Sequence, residues 1–161
     1  MAPIWVLTPG PGVFAGRRWR SQSVCNGGNA GIPIPMLAVD KLIAAPASAA
    51  WDVLVDLDVW PKWGPTVSEA RLDPPYTALA LRVTGTVRTA LGFAVPFVVT
   101  EFEPGRHWAW KVAGVPATHH TVESVGDSAR VTIAVPWWAA AYLTVCSIAL
   151  HRIDAMLSAA P

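Results

Sequence analysis

The sequence predicts an α+β domain, a curved antiparallel sheet of about 6–7 strands with a long helix against it. Three observations predict this. One strand-like stretch followed by helical spacing opens the patterned region, and a run of alternating stretches separated by turn residues follows. An apolar helix of about 20 residues then closes the chain. Consecutive strands joined by tight turns pair antiparallel, and helices gathered at the two ends of such a run give the α+β layout.

Residues 1–35 stand apart. Their prolines, glycines and the stretch "CNGGNAGIPIP" carry no sustained period, so an irregular or disordered extension is expected there, with Met36 as a possible alternative first residue. The patterned domain is expected over 36–161. "MLAVDKLIA" (36–44) reads as a strand. Pro46 suits a first helical position, and Ala47, Ala50, Trp51, Leu54 and Leu57 then recur at helical spacing. Pro61 and Gly64-Pro65 leave room for one further short turn, Trp60 to Trp63.

Strand patterns follow. "TVSEARL" is short, and in "LALRVTGTVR" Leu79, Leu81, Val83, Gly85 and Val87 share one face. "GFAVPFVVTEF" is apolar, with Pro96 requiring a bulge or an edge position. "HWAWKVA" puts Trp108, Trp110 and Val112 on one side. "THHTVESV", Gly126-Asp127 and "ARVTIAV" make a hairpin. A two-residue turn sets Val122 against Val131 and His120 against Ile133, with His119 outside; a longer turn would exchange the histidines. From Pro136 to about Leu157 the pattern is helical, and its first half is apolar all round, which predicts burial on more than one side.

Composition excludes several classes. With 53% hydrophobic and 14% charged residues, the chain is far less charged than the roughly 25% of average soluble proteins. A net charge of +1 supplies no overall field for nucleic acid. Cys25 and Cys146 form no disulfide framework and no metal-ligand spacing, which fits a reducing, cytoplasmic setting. The N-terminal basic residues come after the apolar run, unlike a secretory signal. The uncharged stretch 131–150 has the length of a membrane span. Its first residues alternate as a strand and Pro136 breaks it, so no integral span is expected.

Two stretches carry a family resemblance. "APASAAWDVLVDLDVWPKWGPTV" (45–67) holds a Pro-opened helix and the pattern W-P-x-W-x-P, and "EFEPGRHWAWKV" (101–112) is followed by the hairpin "VESVGDSARVTI". Together they resemble the helix-grip, or START-like, superfamily (SRPBCC), in its polyketide cyclase/dehydrase-like branch, over Met36 to Leu157. The resemblance implies a sheet wrapped around the C-terminal helix with a cavity between them. It also implies that Trp60 and Trp63 lie near the cavity mouth, where they either pack in the core or wall the space. Trp51, on the apolar face of its helix, reads as core.

No nucleophile elbow, metalloprotease helix or phosphate-binding loop is present. His120 is the candidate pocket histidine, able to move a proton, or else a hydrogen-bonded interior residue. On the C-terminal helix Trp138, Tyr142, Val145, Cys146 and Ala149 share a face. Tyr142 alone there offers a phenol, to hold a ligand carbonyl or to act with His120 as an acid–base pair. The expected ligand-binding set is Trp60, Trp63, Leu81, Val83, Trp108, Trp110, His120, Trp138 and Tyr142. The expected occupant is a small hydrophobic molecule (lipid, polyketide or quinone-like), with no cofactor and no metal, in a monomer or homodimer. The alternative is a cyclase or dehydratase in the same cavity.

Overall fold

The structure is a computed structural model and describes residues 34–159. The expectation for residues 1–35 lies, apart from Ile34 and Pro35, outside the described residues. Seven antiparallel strands form one sheet: β1 (Met36–Ile43), β2 (Val67–Leu72), β3 (Thr84–Thr89), β4 (Ala94–Glu103), β5 (His107–Val112), β6 (Val115–Val125) and β7 (Ser128–Pro136), in the order β1-β7-β6-β5-β4-β3-β2. Helices α1 (Ala47–Val55) and α2 (Trp60–Trp63) carry the chain from one edge of the sheet to the other, and α3 (Leu143–Ser158) packs against the sheet.

Pro46 sits at the N-cap of α1 rather than inside it. The helix stops at Val55, short of Leu57, because Asp56 turns extended (ψ 106°) and its carboxylate accepts the Asp58 N–H at 3.0 Å. This opens a 3-10 turn over Leu57–Val59 that delivers Trp60. An α-helix leaves its last carbonyls without partners of its own. Here the Trp60 indole N–H donates to the Leu54 carbonyl (3.0 Å) and that of Trp63 to the Val53 carbonyl (3.1 Å). The two tryptophans therefore cap α1 with their polar edges while their faces enter the core.

The β6–β7 register has Val122 opposite Val131 and His120 opposite Ile133, with Gly126 and Asp127 between the strands. His119 faces out and His120 in. Within β6 a bulge sets Ala117 and Thr118 together against Trp110, since Ala109 pairs with His119 and Lys111 with Pro116.

Three expectations are corrected. The strand predicted from Leu79 begins only at Thr84. A turn intervenes, closed by Val83 N–H to the Ala80 carbonyl (3.2 Å) with Arg82 at φ +67°, and it leaves Leu81 53% exposed. Pro96 is neither at an edge nor at a bulge. It pairs with Thr86 on β3, and its carbonyl accepts from Ala113 just past the end of β5. In an antiparallel strand N–H and C=O of one residue point the same way, so the missing N–H is lost where the β4–β5 ladder ends. Finally, Trp137–Tyr142 is a 3-10 segment kinked at Ala139 (φ −98°, ψ 24°), with Trp137 and Trp138 exposed. The first half of the C-terminal helix is thus not buried on several sides.

The core lies between sheet and helices. On α3 it takes Cys146, Ala149, Leu150 and Ile153, spaced i, i+3, i+4, i+7, and on the sheet it takes Val99, Trp108, Val131, Ile133 and Val135. Trp137–Ser158 together is long and apolar enough to cross a membrane by length and composition, but this buried stripe seats α3 on the domain's own sheet. It is not a clear span.

Candidate functional site

Two neighbouring spaces lie between the sheet and the start of the C-terminal helix. The outer one is an open pocket of about 400 Å³. Its walls are Val87 and Val112 from the sheet, Val115 to Thr118 from the bulged part of β6, and Trp138, Ala139 and Tyr142 from the 3-10 segment. Beneath it lies a recess of about 50 Å³. Trp60, Trp63, Trp108 and His120 line this recess, and Thr66, Val67, Trp110, Thr118 and Tyr142 border both spaces.

The floor is an aromatic stack. His120 lies on Trp108 (centroids 4.1 Å, 18°), Trp108 lies on Trp60 (5.4 Å, 5°), and Trp63 meets His120 edge-on at 6.2 Å. Between these rings and α3 lies the recess of about 50 Å³.

Two polar pairs face the pocket. The Thr66 and Tyr142 hydroxyls are 2.6 Å apart. Burial pushes the Tyr142 phenol above its usual pKa, with the Thr66 hydrogen bond acting against that, so the phenol stays protonated near neutral pH. Across the pocket, the Trp110 indole N–H donates to Thr118 Oγ1 (2.8 Å), which lies 3.2 Å from His120 Nε2. That oxygen accepts from Trp110 and can also either donate to Nε2 or accept from it, so the direction of the second bond follows the His120 tautomer.

His120 itself is 3% exposed, and its Nδ1 has no partner in hydrogen-bond geometry. Burial, then the neighbouring His119, lower its pKa to about 3, with the Trp108 backbone acting weakly the other way. At neutral pH it is an uncharged ring that orients Thr118, and it is a poor base. This does not favour the acid–base pairing with Tyr142 expected from the sequence.

The other expected residues separate clearly. Trp110, Trp138 and Tyr142 line the open pocket, while Trp60, Trp63, Trp108 and His120 form its floor. Val83 is buried core and Leu81 is on the surface; neither lines either space. Sequence reasoning missed Thr66, Thr89, Val87, Val112 and the Val115–Thr118 bulge. Val87 and Val112 had a signal, since each continued an inward-facing alternation. The bulge had none.

Among the described residues no histidine, carboxylate or thiol lines the outer pocket. Among the described residues no group of three or more His, Cys, Asp or Glu side chains is arranged to hold a metal. Cys146 borders the recess with its thiol pushed up to about 11 by burial, too high for a nucleophile at neutral pH.

The seven-stranded sheet gripping a C-terminal helix defines a helix-grip protein. Residues 37–149 match the family described as polyketide cyclase / dehydrase and lipid transport. The chain belongs to that family. Among solved structures it is similar to a protein from Mesorhizobium loti (TM-score 0.64, 10% identity, 79% of this chain and 99% of that one). It is also similar to a protein from Nitrosomonas europaea (0.59, 15%, 76% and 94%) and to the Aha1 dimer from Colwellia psychrerythraea (0.59, 17%, 77% and 96%). At these identities the likeness concerns the fold. No curated protein matches the sequence.

Proposed function

We propose that the chain binds a small apolar molecule in the pocket of about 400 Å³, with the hydroxyls of Thr66, Tyr142 and Thr118 orienting one polar group of it. The observation that carries this reading is the lining. Aliphatic and tryptophan walls surround a few hydroxyls, with Arg88 as the one charged side chain among the described lining residues. Such walls supply affinity by removing apolar area from water, about 25 cal/mol per Å². The family's description, which includes lipid transport, agrees with it. A ligand carbonyl would accept from the neutral Tyr142 phenol.

A cyclisation or dehydration catalyst is the second reading, and the same description favours it. In that case Tyr142 is the proton donor, and His120 contributes only by holding Thr118.

The test is the fluorescence of N-phenylnaphthylamine, an apolar probe, with the full chain and with Ala117→Trp, which puts an indole into the pocket. Enhancement by the wild type, with affinity about tenfold weaker in the variant (about 1.4 kcal/mol), is expected. Equal enhancement in both, or none in either, overturns the reading.

A further inference from the structure

The net charge of +1 conceals a local asymmetry. The segments 34–39, 64–67, 89–100, 112–118 and 131–150 contain no Asp, Glu, Lys or Arg. They converge on the end of the sheet that holds the pocket mouth. Met36 is paired with Pro136, Val67 with Thr89 and Val112 with Val115. Trp137 N–H donates to the Pro35 carbonyl and Ala90 N–H to the Thr66 carbonyl, both at 2.9 Å.

Around the mouth, large apolar side chains point into water. Leu91 and Phe93, at the tip of the β3–β4 hairpin, are 84% and 67% exposed; Trp137 and Trp138 are 59% and 51% exposed. Val115 and Ile34 are exposed beside them. Clustered exposure of this kind marks an interaction surface.

The charges that border this collar most closely are three cations and one anion, Glu69, which stands opposite Arg88. Arg88 precedes Thr89, Lys111 precedes Val112, and Lys62 lies two residues before Gly64. Arg88 shares Glu69 with Arg71, two cations to one anion, and Lys111 makes no ion pair among the described residues. Asp40, the first anion beyond β1's uncharged start, is paired with Arg130 at 3.5 Å. Two copies meeting through this face would set cationic rims against each other, whereas an anionic surface would complement them.

We propose that this end of the domain docks on a membrane surface containing anionic lipid. Leu91, Phe93, Trp137 and Trp138 enter the interfacial layer, Arg88 and Lys111 meet the headgroups, and the pocket mouth opens onto the bilayer. Tryptophans at the water–lipid boundary and cations beside an apolar wedge are the features such surfaces bind. Docking of this kind lies in the interface and spans nothing.

The test is flotation of the full chain with vesicles of phosphatidylcholine plus phosphatidylglycerol, and with vesicles of phosphatidylcholine alone. Binding to the mixed vesicles, weakened by salt, is expected. Leu91→Ser with Phe93→Ser should weaken it at least about tenfold. Lys111→Gln should weaken it about fivefold, the equivalent of one headgroup contact. None of these three side chains lines the pocket, so probe fluorescence without vesicles should stay unchanged in both variants, which separates failure here from failure of the ligand-binding reading. No flotation, or flotation that survives the Leu91/Phe93 change, overturns the proposal. So does a dimer in gel filtration that the same change dissolves, since a second copy would then cover the face.

Discussion

The Trp60 indole N–H donates to the Leu54 carbonyl at 3.0 Å, joining the end of helix α1 to the floor of the pocket. The same side chain stacks on Trp108 and is 1% exposed. One residue thus satisfies a helix terminus, fills the core and sets how deep the pocket runs.

Trp60→Phe tests that relationship. The substitution strands the Leu54 carbonyl in a buried setting, a cost of about 1–3 kcal/mol, and removes volume besides. The urea midpoint should fall with an unchanged slope. Trp51→Phe, at a half-buried ring resting on Phe102 (5.7 Å), should cost less.

His120 predicts a pH dependence. Its folded pKa of about 3 lies below the ordinary 6.5, so the unfolded chain takes up the proton first as the pH falls. The stability that comes from keeping this ring neutral is complete above about pH 6.5 and is lost toward pH 3, at up to about 1.4 kcal/mol per pH unit. His119, also lowered by burial, acts in the same sense, so the informative quantity is the difference between wild type and His120→Phe. The variant should show a shallower loss of denaturation midpoint across that window.

The hydroxyl pair offers a spectroscopic prediction. In a Tyr76→Phe background Tyr142 is the remaining tyrosine, and its ultraviolet titration should fall above the usual 10.0 because burial raises it. Thr66→Ala removes the hydrogen bond that lowers the phenol pKa, so the midpoint should move higher still. A midpoint unmoved by that change would mean the two hydroxyls do not interact in solution.

Gly85 is predicted to be intolerant. A Cβ there would stand 2.6 Å from the Phe97 ring and would also collide with the Arg71 carbonyl. Backbone cannot yield as a flexible side chain does, so Gly85→Ala should cost about 1–3 kcal/mol, read as a lowered thermal midpoint.

Much of the fold was legible because it is written in short-range chemistry. Gly126-Asp127 fixes a two-residue turn, and that alone aligns His120 with Ile133 and turns His119 outward. The stripe of Cys146, Ala149, Leu150 and Ile153 likewise announces the seat of α3. The failures have physical causes as well. Between Ala80 and Val83 the chain turns without Gly or Pro, through an arginine at positive φ, a conformation that leaves no trace in residue type. Leu81 therefore looked like a wall residue. Trp137 and Trp138 sit in an apolar helical pattern, yet the Trp137 N–H is tied to Pro35, and the segment winds as a kinked 3-10 turn at the surface. Of the candidate site, the aromatic floor could be read from its tryptophans. The position of the open pocket could not, because it depends on which residues of β6 double up opposite Trp110.

That doubling divides the labour of the sheet. On the Val122 side of the bulge the β6–β7 ladder and the stacked rings hold the domain together. On the Val115 side, with Ala117 and Thr118 sharing one partner, side chains can change size without shifting the register of the rest. A deep mutational scan should therefore find two populations along a single strand, with selection for folding concentrated at Thr118, His120 and Val122. Toward Val115 to Ala117, variation would track what the pocket holds, so that new specificities arise there without a penalty in stability.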